Sequence, residues 1–164
     1  MLVLGIDPGL AILGYGVVEK DHNKLCTLDY GTVTTPSRMN TAQRLVRIYD
    51  GVCELMDKFC PDAVAVEELF FNKNVKTAIS IGEARGVAIV AAAQYDVPIY
   101  EYTPLQVKQA VVGYGRAEKR QVQHMVKMLL GLRDIPKPDD AADALAISIC
   151  HLNNIDMYKL LKYR

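Results

Sequence analysis

Four acidic side chains have the residue types and the surroundings that phosphoryl chemistry uses. Asp7 and Glu67 each end a short apolar run, and Asp140 and Asp143 lie three residues apart at the start of the last helical pattern. Carboxylates brought together repel one another, and a cation between them removes that conflict. Mg²⁺ prefers oxygen ligands, and two such ions about 4 Å apart stabilise both the attacking and the leaving oxygen of a phosphoryl displacement. We therefore predict a metal site formed by Asp7, Glu67, Asp140 and Asp143.

Each of these acids also has a purely structural explanation. Asp7 precedes Pro8 and Gly9 and could begin a turn, while Asp140 or Asp143 could cap a helix or interact with its dipole. Only their combination, at two strand ends and one helix start, favours a metal site. The neighbouring acids Glu68 and Asp139 are expected to point elsewhere, in a supporting role or toward solvent.

Hydrophobic periodicity predicts the elements that position these acids. Strands are expected at residues 2–6, 11–18, 25–34, 63–66 and 99–102, and helices at 41–59, 77–95, 105–111, around 122–130 and from 139 onward. The first three strands form an antiparallel meander, whereas the strands that follow helices require parallel partners. The predicted fold class is therefore α/β: one domain over residues 1–164, with a mixed five-stranded sheet and helices on both faces.

Two finer expectations concern the helices. Gly82 and Gly86 lie four residues apart, which predicts close packing of the second helix against a neighbour. The fourth helix is expected to bury a stripe of apolar side chains, namely Val122, Met125, Val126, Leu129 and Leu130.

The formal net charge is zero, from 19 basic and 19 acidic residues, but the charges are segregated. Residues 103–137 hold seven basic side chains against two acidic ones, a net charge of +5, and residues 50–70 hold one against six, a net charge of −5. Lys73, Lys76 and Arg85 add positive charge after Glu67. Basic groups around an acidic, metal-binding cleft suit a polyanion such as nucleic acid. Lysines more often simply form the solvent-exposed face of a helix.

Phe70 and Phe71 form an aromatic pair directly after the strand that ends at Glu67. Such a pair can stack on unpaired bases, and it can equally pack in the core.

The longest uncharged apolar stretch, residues 86–95, is far shorter than the roughly 18 residues that a membrane span needs. The N-terminus lacks the pattern of a signal peptide, because Asp7 precedes any basic residue and no apolar segment with a cleavage site follows. These observations predict a cytoplasmic protein without a membrane partner.

Six motifs in order resemble the RuvC family of bacterial crossover junction (Holliday junction) endodeoxyribonucleases. They are Leu4-Gly5-Ile6-Asp7-Pro8-Gly9, Val66-Glu67-Glu68-Leu69-Phe70-Phe71, Gly82-Glu83-Ala84-Arg85-Gly86, Gln106-Val107-Lys108-Gln109, Ala117-Glu118-Lys119-Arg120-Gln121-Val122-Gln123 and Asp140-Ala141-Ala142-Asp143-Ala144-Leu145-Ala146. Each motif alone is weak, but six at consistent spacing over nearly the whole chain are specific. Glu68 stands where this family commonly has glutamine.

The resemblance implies a ribonuclease H-like fold and a homodimer that acts on four-way junction DNA in recombination and repair. It implies Mg²⁺-dependent nicking of two opposed strands at a short T-rich sequence, leaving ligatable 5′-phosphate and 3′-hydroxyl ends. Two Mg²⁺ ions are expected in each active site, with Mn²⁺ as a substitute. The implied protein partners are the branch-migration proteins RuvA and RuvB.

The same resemblance assigns roles to individual residues. It places the catalytic metal ligands at Asp7, Glu67, Asp140 and Asp143. It makes Lys119 a further catalytic residue, which stabilises charge in the transition state. The DNA-binding residues that we expect are Phe70, Phe71, Lys73, Asn74, Lys108 and Lys119.

Other functions remain open from the residues alone. A related ribonuclease H-fold nuclease could act on RNA or on other branched nucleic acids, and a non-catalytic junction-binding protein could hold a structural ion at the same acids. Sugar kinases and actin-like ATPases begin with a similar aspartate, but they need two such domains, and 164 residues are too few for both.

Overall fold

A computed structural model describes residues 1–69 and 75–162 of the chain, with the backbone alone at 75, 76 and 156–162. Five strands and five helices follow one another in the described parts. In chain order they are β1 (Leu2–Asp7), β2 (Ile12–Asp21), β3 (Lys24–Thr34), α1 (Thr41–Phe59), β4 (Ala63–Glu67), α2 (Val75–Ala93), β5 (Ile99–Tyr102), α3 (Pro104–Val112), α4 (Lys119–Leu129) and α5 (Asp139–Lys162).

The five strands form one mixed sheet in the order β3-β2-β1-β4-β5. The strands β1, β2 and β3 are antiparallel neighbours, and β1, β4 and β5 run parallel. The predicted meander and the predicted parallel pairs are therefore confirmed. The register pairs Ile6 with Val66, so that Asp7 and Glu67, the next residue on each strand, emerge at the same edge of the sheet.

Helices cover both faces of the sheet, as the sequence predicts. Leu4, Ile6 and Val64 point into a core shared with α1 and α2, while Val3 and Ala65 point into a core shared with α3, α4 and α5. Because β1 and β4 are buried on both faces, their sequences are continuous apolar runs rather than alternating patterns. Full burial of each large aliphatic side chain here contributes roughly 1.5–3 kcal/mol.

Three glycines in β1 and β2 allow α5 to lie unusually close to the sheet. A Cβ atom on Gly16 would come within 2.8 Å of the backbone nitrogen of Leu145, and one on Gly14 would overlap the main-chain oxygen of Asp140. Gly5, the cross-strand partner of Gly16, faces the same helix. The hydroxyl of Ser148 donates a 2.9 Å hydrogen bond to the main-chain oxygen of Gly16. We call Gly5, Gly14 and Gly16 the glycine groove.

Some finer expectations are wrong. The second helix spans Val75–Ala93 rather than 77–95, because the chain turns at residues 94–96 and Asp96 adopts a positive φ of 54°. Gly86 does not allow close packing: within the described parts of the chain, a Cβ there would meet nothing within 4 Å. Leu129, expected in the buried stripe of α4, is the last residue of that helix and is 39% exposed.

A search of the described residues finds no helix with both the length and the apolar character that crossing a membrane requires.

Candidate active site

A cavity of about 210 Å³ lies where the ends of β1 and β4 meet α3, α4 and α5. Its charged lining residues are the acids Asp7, Glu67 and Asp143 and the lysines Lys108 and Lys119, and apolar side chains from the three helices form the rest. Three of the four predicted metal ligands and two of the three predicted DNA-contacting lysines therefore line one cavity.

Asp140, the fourth predicted ligand, is not among the residues that line this cavity. It lies one turn before Asp143 on α5, with its backbone packed against Gly14 of the glycine groove. Gly14 is the cross-strand partner of Asp7. The charge of Asp140 is close enough to raise the pKa of both Asp7 and Asp143.

Burial and mutual repulsion make the ionised forms of these acids unfavourable. Burial raises the pKa of Asp7 to about 8, assisted by the charges of Glu67, Asp143 and Asp140 and opposed by Lys119. Burial also raises the pKa of Glu67 to about 7, assisted by Asp143 and opposed by Lys108 and Lys119. The pKa of Asp143 is raised chiefly by burial, against the hydrogen bond from Lys119. The cavity therefore favours additional positive charge.

Lys119 supplies one such charge. Its Nζ lies 2.9 Å from a carboxylate oxygen of Asp143 and 3.5 Å from one of Asp139. Burial alone would lower the pKa of Lys119, but the hydrogen bond to Asp143 and the charges of both acids outweigh it and raise that pKa. The Lys119 ammonium is therefore held in its charged form beside the carboxylates.

Asp139 has a more specific place than the sequence indicates. Besides Lys119, it contacts Lys137, whose Nζ lies 3.4 Å from its carboxylate. Its pKa is lowered first by the nearby amide of Gln123 and then by the two lysines. Asp139 therefore shares Lys119 with Asp143, which is a supporting role rather than a purely solvent-facing one.

The set of donors fits a hard divalent cation. Three carboxylates from three elements line one small, partly buried space, the charge of a fourth, Asp140, acts on two of them, and oxygen is the donor that Mg²⁺ selects. With the side chains in their present orientations, the described residues contain no group of three Asp, Glu, His or Cys side chains arranged to hold a metal ion. Because β1, β4 and α5 fix the Cα positions, convergence on an ion requires rotation of the carboxylate side chains, and Lys119 pairs with only one of the two carboxylate oxygens of Asp143.

One further residue near the cavity, Arg85, makes contacts that its positive charge in the sequence does not indicate. Arg85 on α2 donates from Nε to the main-chain oxygen of Glu67 at 3.1 Å, and its guanidinium forms an ion pair with Glu101 on β5. Its membership of the glycine-flanked motif at residues 82–86 gives no indication of these two contacts.

The remaining predicted DNA contacts divide into two groups. Phe70, Phe71, Lys73 and Asn74 lie outside the described residues. Lys108, on α3, is half-buried at the cavity, where its charge acts on the carboxyl of Glu67.

Comparison with known proteins gives consistent matches over almost the whole chain. The family model described as crossover junction endodeoxyribonuclease RuvC matches residues 3–151. The crossover junction endodeoxyribonuclease RuvC of Alkaliphilus metalliredigens is 58% identical and covers 100% of both chains. That of Halothermothrix orenii is 60% identical over 94% of this chain and 93% of its own. The structure of T. thermophilus RuvC in complex with a Holliday junction substrate superposes with a TM-score of 0.87 at 40% identity, covering 96% of each chain.

Proposed function

The chain belongs to the RuvC family of crossover junction endodeoxyribonucleases, and from this premise we infer that it is a Holliday junction resolvase. Its mixed five-stranded sheet is the ribonuclease H-like fold. The observation that carries the inference is the match over residues 3–151, which includes the acidic cavity and the two lysines beside it.

The reaction that we propose is hydrolysis of one phosphodiester bond in each of two opposed strands of a four-way DNA junction. Cleavage on the 3′-oxygen side of the phosphorus leaves a 5′-phosphate and a 3′-hydroxyl, which a ligase can rejoin. The product of this chemistry serves homologous recombination and DNA repair.

We propose that Asp7, Glu67, Asp140 and Asp143 hold Mg²⁺, with two ions per active site. Four oxygen donors from two strand ends and one helix support this assignment, as does the raised pKa of Asp7 and Glu67, which reflects a site in need of positive charge. Bound Mg²⁺ would supply Lewis-acid stabilisation of the scissile phosphate, and Mn²⁺ would do so as a substitute.

The protein's own residues bind and orient the phosphate. Lys119, held charged by Asp143 and Asp139, is placed to stabilise negative charge that develops on the phosphate oxygens. Lys108 also lines the cavity and attracts the DNA backbone. From the family resemblance, we propose Phe70 and Phe71 as aromatic contacts to bases and Lys73 and Asn74 as further DNA contacts.

We propose that the functional unit is a homodimer, because the four acids of one chain supply one site and two symmetric nicks require two sites related by a twofold axis. RuvA and RuvB are the partners that the family suggests for presenting the junction. Two statements stay predictions: that the chain forms one domain over residues 1–164, and that it acts in the cytoplasm.

The test is cleavage of a synthetic four-way junction with labelled arms, with and without Mg²⁺, mapping each nick. Two symmetric nicks that appear only with the metal, and whose products a ligase reseals, are the expected result. Parallel assays on linear duplex, RNA duplex and a three-way branch provide the comparison. Preferential cleavage of RNA or of another branch would identify a different nuclease, and tight junction binding without metal-dependent nicking would identify a binding protein.

A further inference from the structure

Arg85 makes two contacts that connect α2 to the active-site edge of the sheet. Its Nε donates a 3.1 Å hydrogen bond to the main-chain oxygen of Glu67, and its terminal nitrogen pairs with the carboxylate of Glu101. The Arg85 side chain is only 17% exposed. A guanidinium presents its N–H groups in a rigid planar fork, so two simultaneous contacts fix its orientation.

The first contact falls on the peptide group that follows Glu67. Pairing between β1 and β4 ends at Val66, one residue earlier, so β1 does not hold this part of the strand. The N–H of the same peptide group, which belongs to Glu68, donates to the main-chain oxygen of Tyr102 at 2.8 Å. Arg85 binds its carbonyl oxygen, and both polar groups of the peptide between Glu67 and Glu68 are therefore held.

The direction of the Glu67 side chain is fixed when the peptide groups on both sides of its Cα are fixed. Pairing with β5 holds the strand up to Glu67, and Arg85 together with Tyr102 holds the peptide that follows, so the end of β4 cannot shift or fray. The carboxylate of Glu67 reaches the cavity from this one residue at the end of β4. Its direction matters because metal ligands must be placed within a few tenths of an ångström.

The second contact anchors Arg85 itself. Glu101 is the cross-strand partner of Val66, so its carboxylate extends from the strand next to β4. This ion pair also neutralises the guanidinium. Arg85 touches the backbone of Glu67, whereas the charges that act on the Glu67 carboxyl come from Asp143, Lys108 and Lys119.

We propose that Arg85 is a positioning residue for the active site: with Glu101 as its anchor, it holds the end of β4 so that Glu67 presents its carboxylate to the metal. The inference rests on the proposed function, since it takes Glu67 as a metal ligand. A merely structural arginine would tie α2 to the sheet without any effect on metal affinity.

The chain offers a matched control toward the opposite edge of the sheet, at β3. Arg47 on α1 donates from Nε to the main-chain oxygen of Thr34, the last residue of β3, at 2.7 Å. This hydrogen bond is of the same kind as that from Arg85 to Glu67, because in both an arginine on a helix donates to the main-chain oxygen at the end of a strand. Thr34 is not among the residues that line the acidic cavity.

The experiment compares Arg85→Lys, Glu101→Gln and Arg47→Lys with the unaltered protein. Calorimetric titration of the metal-free protein with Mn²⁺ measures metal affinity without relying on activity. Junction cleavage gives kcat, KM and the Mg²⁺ concentration for half-maximal rate, and thermal unfolding reports on the fold. Lysine retains the charge but cannot make both contacts from a planar fork.

We expect Arg85→Lys to bind Mn²⁺ about 10-fold more weakly or worse, the usual effect of losing a group that orients a ligand. Its Mg²⁺ requirement should rise in parallel, with a lower kcat and with metal-free junction binding within about twofold of the unaltered protein. Glu101→Gln should show a smaller shift in the same direction, because the bond to Glu67 survives without its anchor. Arg47→Lys should leave metal affinity unchanged.

Unchanged Mn²⁺ affinity in a folded Arg85→Lys protein would overturn the inference, as would equal shifts in Arg85→Lys and Arg47→Lys. If Arg85→Lys does not fold, Glu101→Gln decides the question by the same titration. Failure of the unaltered protein to nick junctions would contradict the proposed function, while the Mn²⁺ titration would still test Arg85.

Discussion

Asp7 lies where burial and neighbouring carboxylates strongly disfavour its charged form. Its pKa rises to about 8 because it is buried and because three other carboxylates act on it. In water, with its ordinary value of 3.8, it would be almost fully ionised at neutral pH. A residue kept in so unfavourable an environment is a natural ligand for a cation that removes the conflict.

Replacing Asp7 by asparagine should separate binding from chemistry. The amide is nearly the same size but is a poorer ligand for Mg²⁺, so we expect Asp7→Asn to lose junction cleavage by roughly 10²–10³-fold, several kcal/mol of transition-state stabilisation. The lysines beside the cavity are untouched, so junction binding should be retained. Cleavage in Mg²⁺ and gel-shift binding measure the two quantities, and full cleavage by the variant would remove Asp7 from the site.

His151 is a buried residue outside the candidate site. Its Nδ1 lies 2.8 Å from the hydroxyl oxygen of Tyr102, and its ring packs against Tyr100 at a centroid distance of 4.4 Å. Its Nε2 has no hydrogen-bond partner among the described residues. Burial lowers the pKa of His151 from 6.5 to about 4, so the folded protein keeps this ring neutral.

This burial predicts a loss of stability in acid. Between pH 6.5 and 4 the unfolded chain protonates His151 and the folded chain does not, so its contribution is intact above pH 6.5 and is lost as the pH falls toward 4. From pH 7 to 5 the free energy of unfolding should fall by about 2 kcal/mol more than in His151→Gln. Urea unfolding at both pH values measures this difference. Parallel losses in the two proteins would contradict it, and the exposed His22→Gln serves as the control.

At the scale of elements, the site depends on how closely α5 approaches the first hairpin. The glycine groove brings the backbone of α5 against β1 and β2, and the first turn of that helix carries Asp139 and Asp140. Acidic residues also interact favourably with the positive end of the helix dipole. The glycines thus determine where the last two proposed metal ligands stand relative to Asp7.

A methyl group in the groove should therefore impair the site from a distance. We expect Gly14→Ala to push the start of α5 outward, because its Cβ would overlap the main-chain oxygen of Asp140, and to reduce both stability and cleavage. An overpacked core typically costs about 1–3 kcal/mol. The control is Gly31→Ala on β3, where the three atoms nearest to the new methyl are at the far end of the Tyr15 side chain rather than in a helix backbone.

Thermal unfolding and junction cleavage check this prediction together. Gly14→Ala should lower both the melting temperature and the cleavage rate, and Gly31→Ala should have much smaller effects on each. Equal behaviour of the two variants would mean that close packing of α5 does not position the carboxylates.

At the scale of the whole molecule, the net charge of zero hides how charge is distributed. Acidic residues are concentrated in the segment from the second half of α1 through β4, and basic residues are concentrated in the segment that includes α3 and α4. Two Mg²⁺ ions at the four carboxylates would leave the loaded protein with a formal charge of +4. DNA would therefore meet a more positive surface than the composition indicates.

Salt dependence of junction binding tests this distribution. If Lys108 contacts one phosphate, Lys108→Met should weaken binding and reduce the slope of log affinity against log salt by about 0.9. The control is Lys58→Met, since Lys58 pairs with Asp29 at 2.9 Å and is not among the residues lining the cavity. A binding titration over a series of KCl concentrations measures both slopes. Equal slopes for the two variants would exclude a phosphate contact at Lys108.

Local pattern was sufficient to predict much of the fold and the set of candidate acids. The apolar runs that end at Asp7 and Glu67, the helical stripes and the six motifs are all properties of short stretches of chain. Each element forms near where its own periodicity indicates, and the motifs indicate the family, whereas the strand order comes from the structure. Boundaries shifted by a few residues because turns such as the one at Asp96 depend on backbone conformation.

Only the tertiary structure decided which side chains support the site. Arg85 reaches Glu67 across 18 residues of sequence, and Ser148 reaches Gly16 across 132. Such contacts depend on how separate elements pack, and a single sequence specifies residue types without the distances between them. The sequence by itself therefore determined what chemistry the acids can perform and which family the motifs resemble. The packing of α2 and α5 on the sheet, and of α4 against α5, decided how Glu67 is held, how Lys119 is shared and how close α5 comes to β1 and β2.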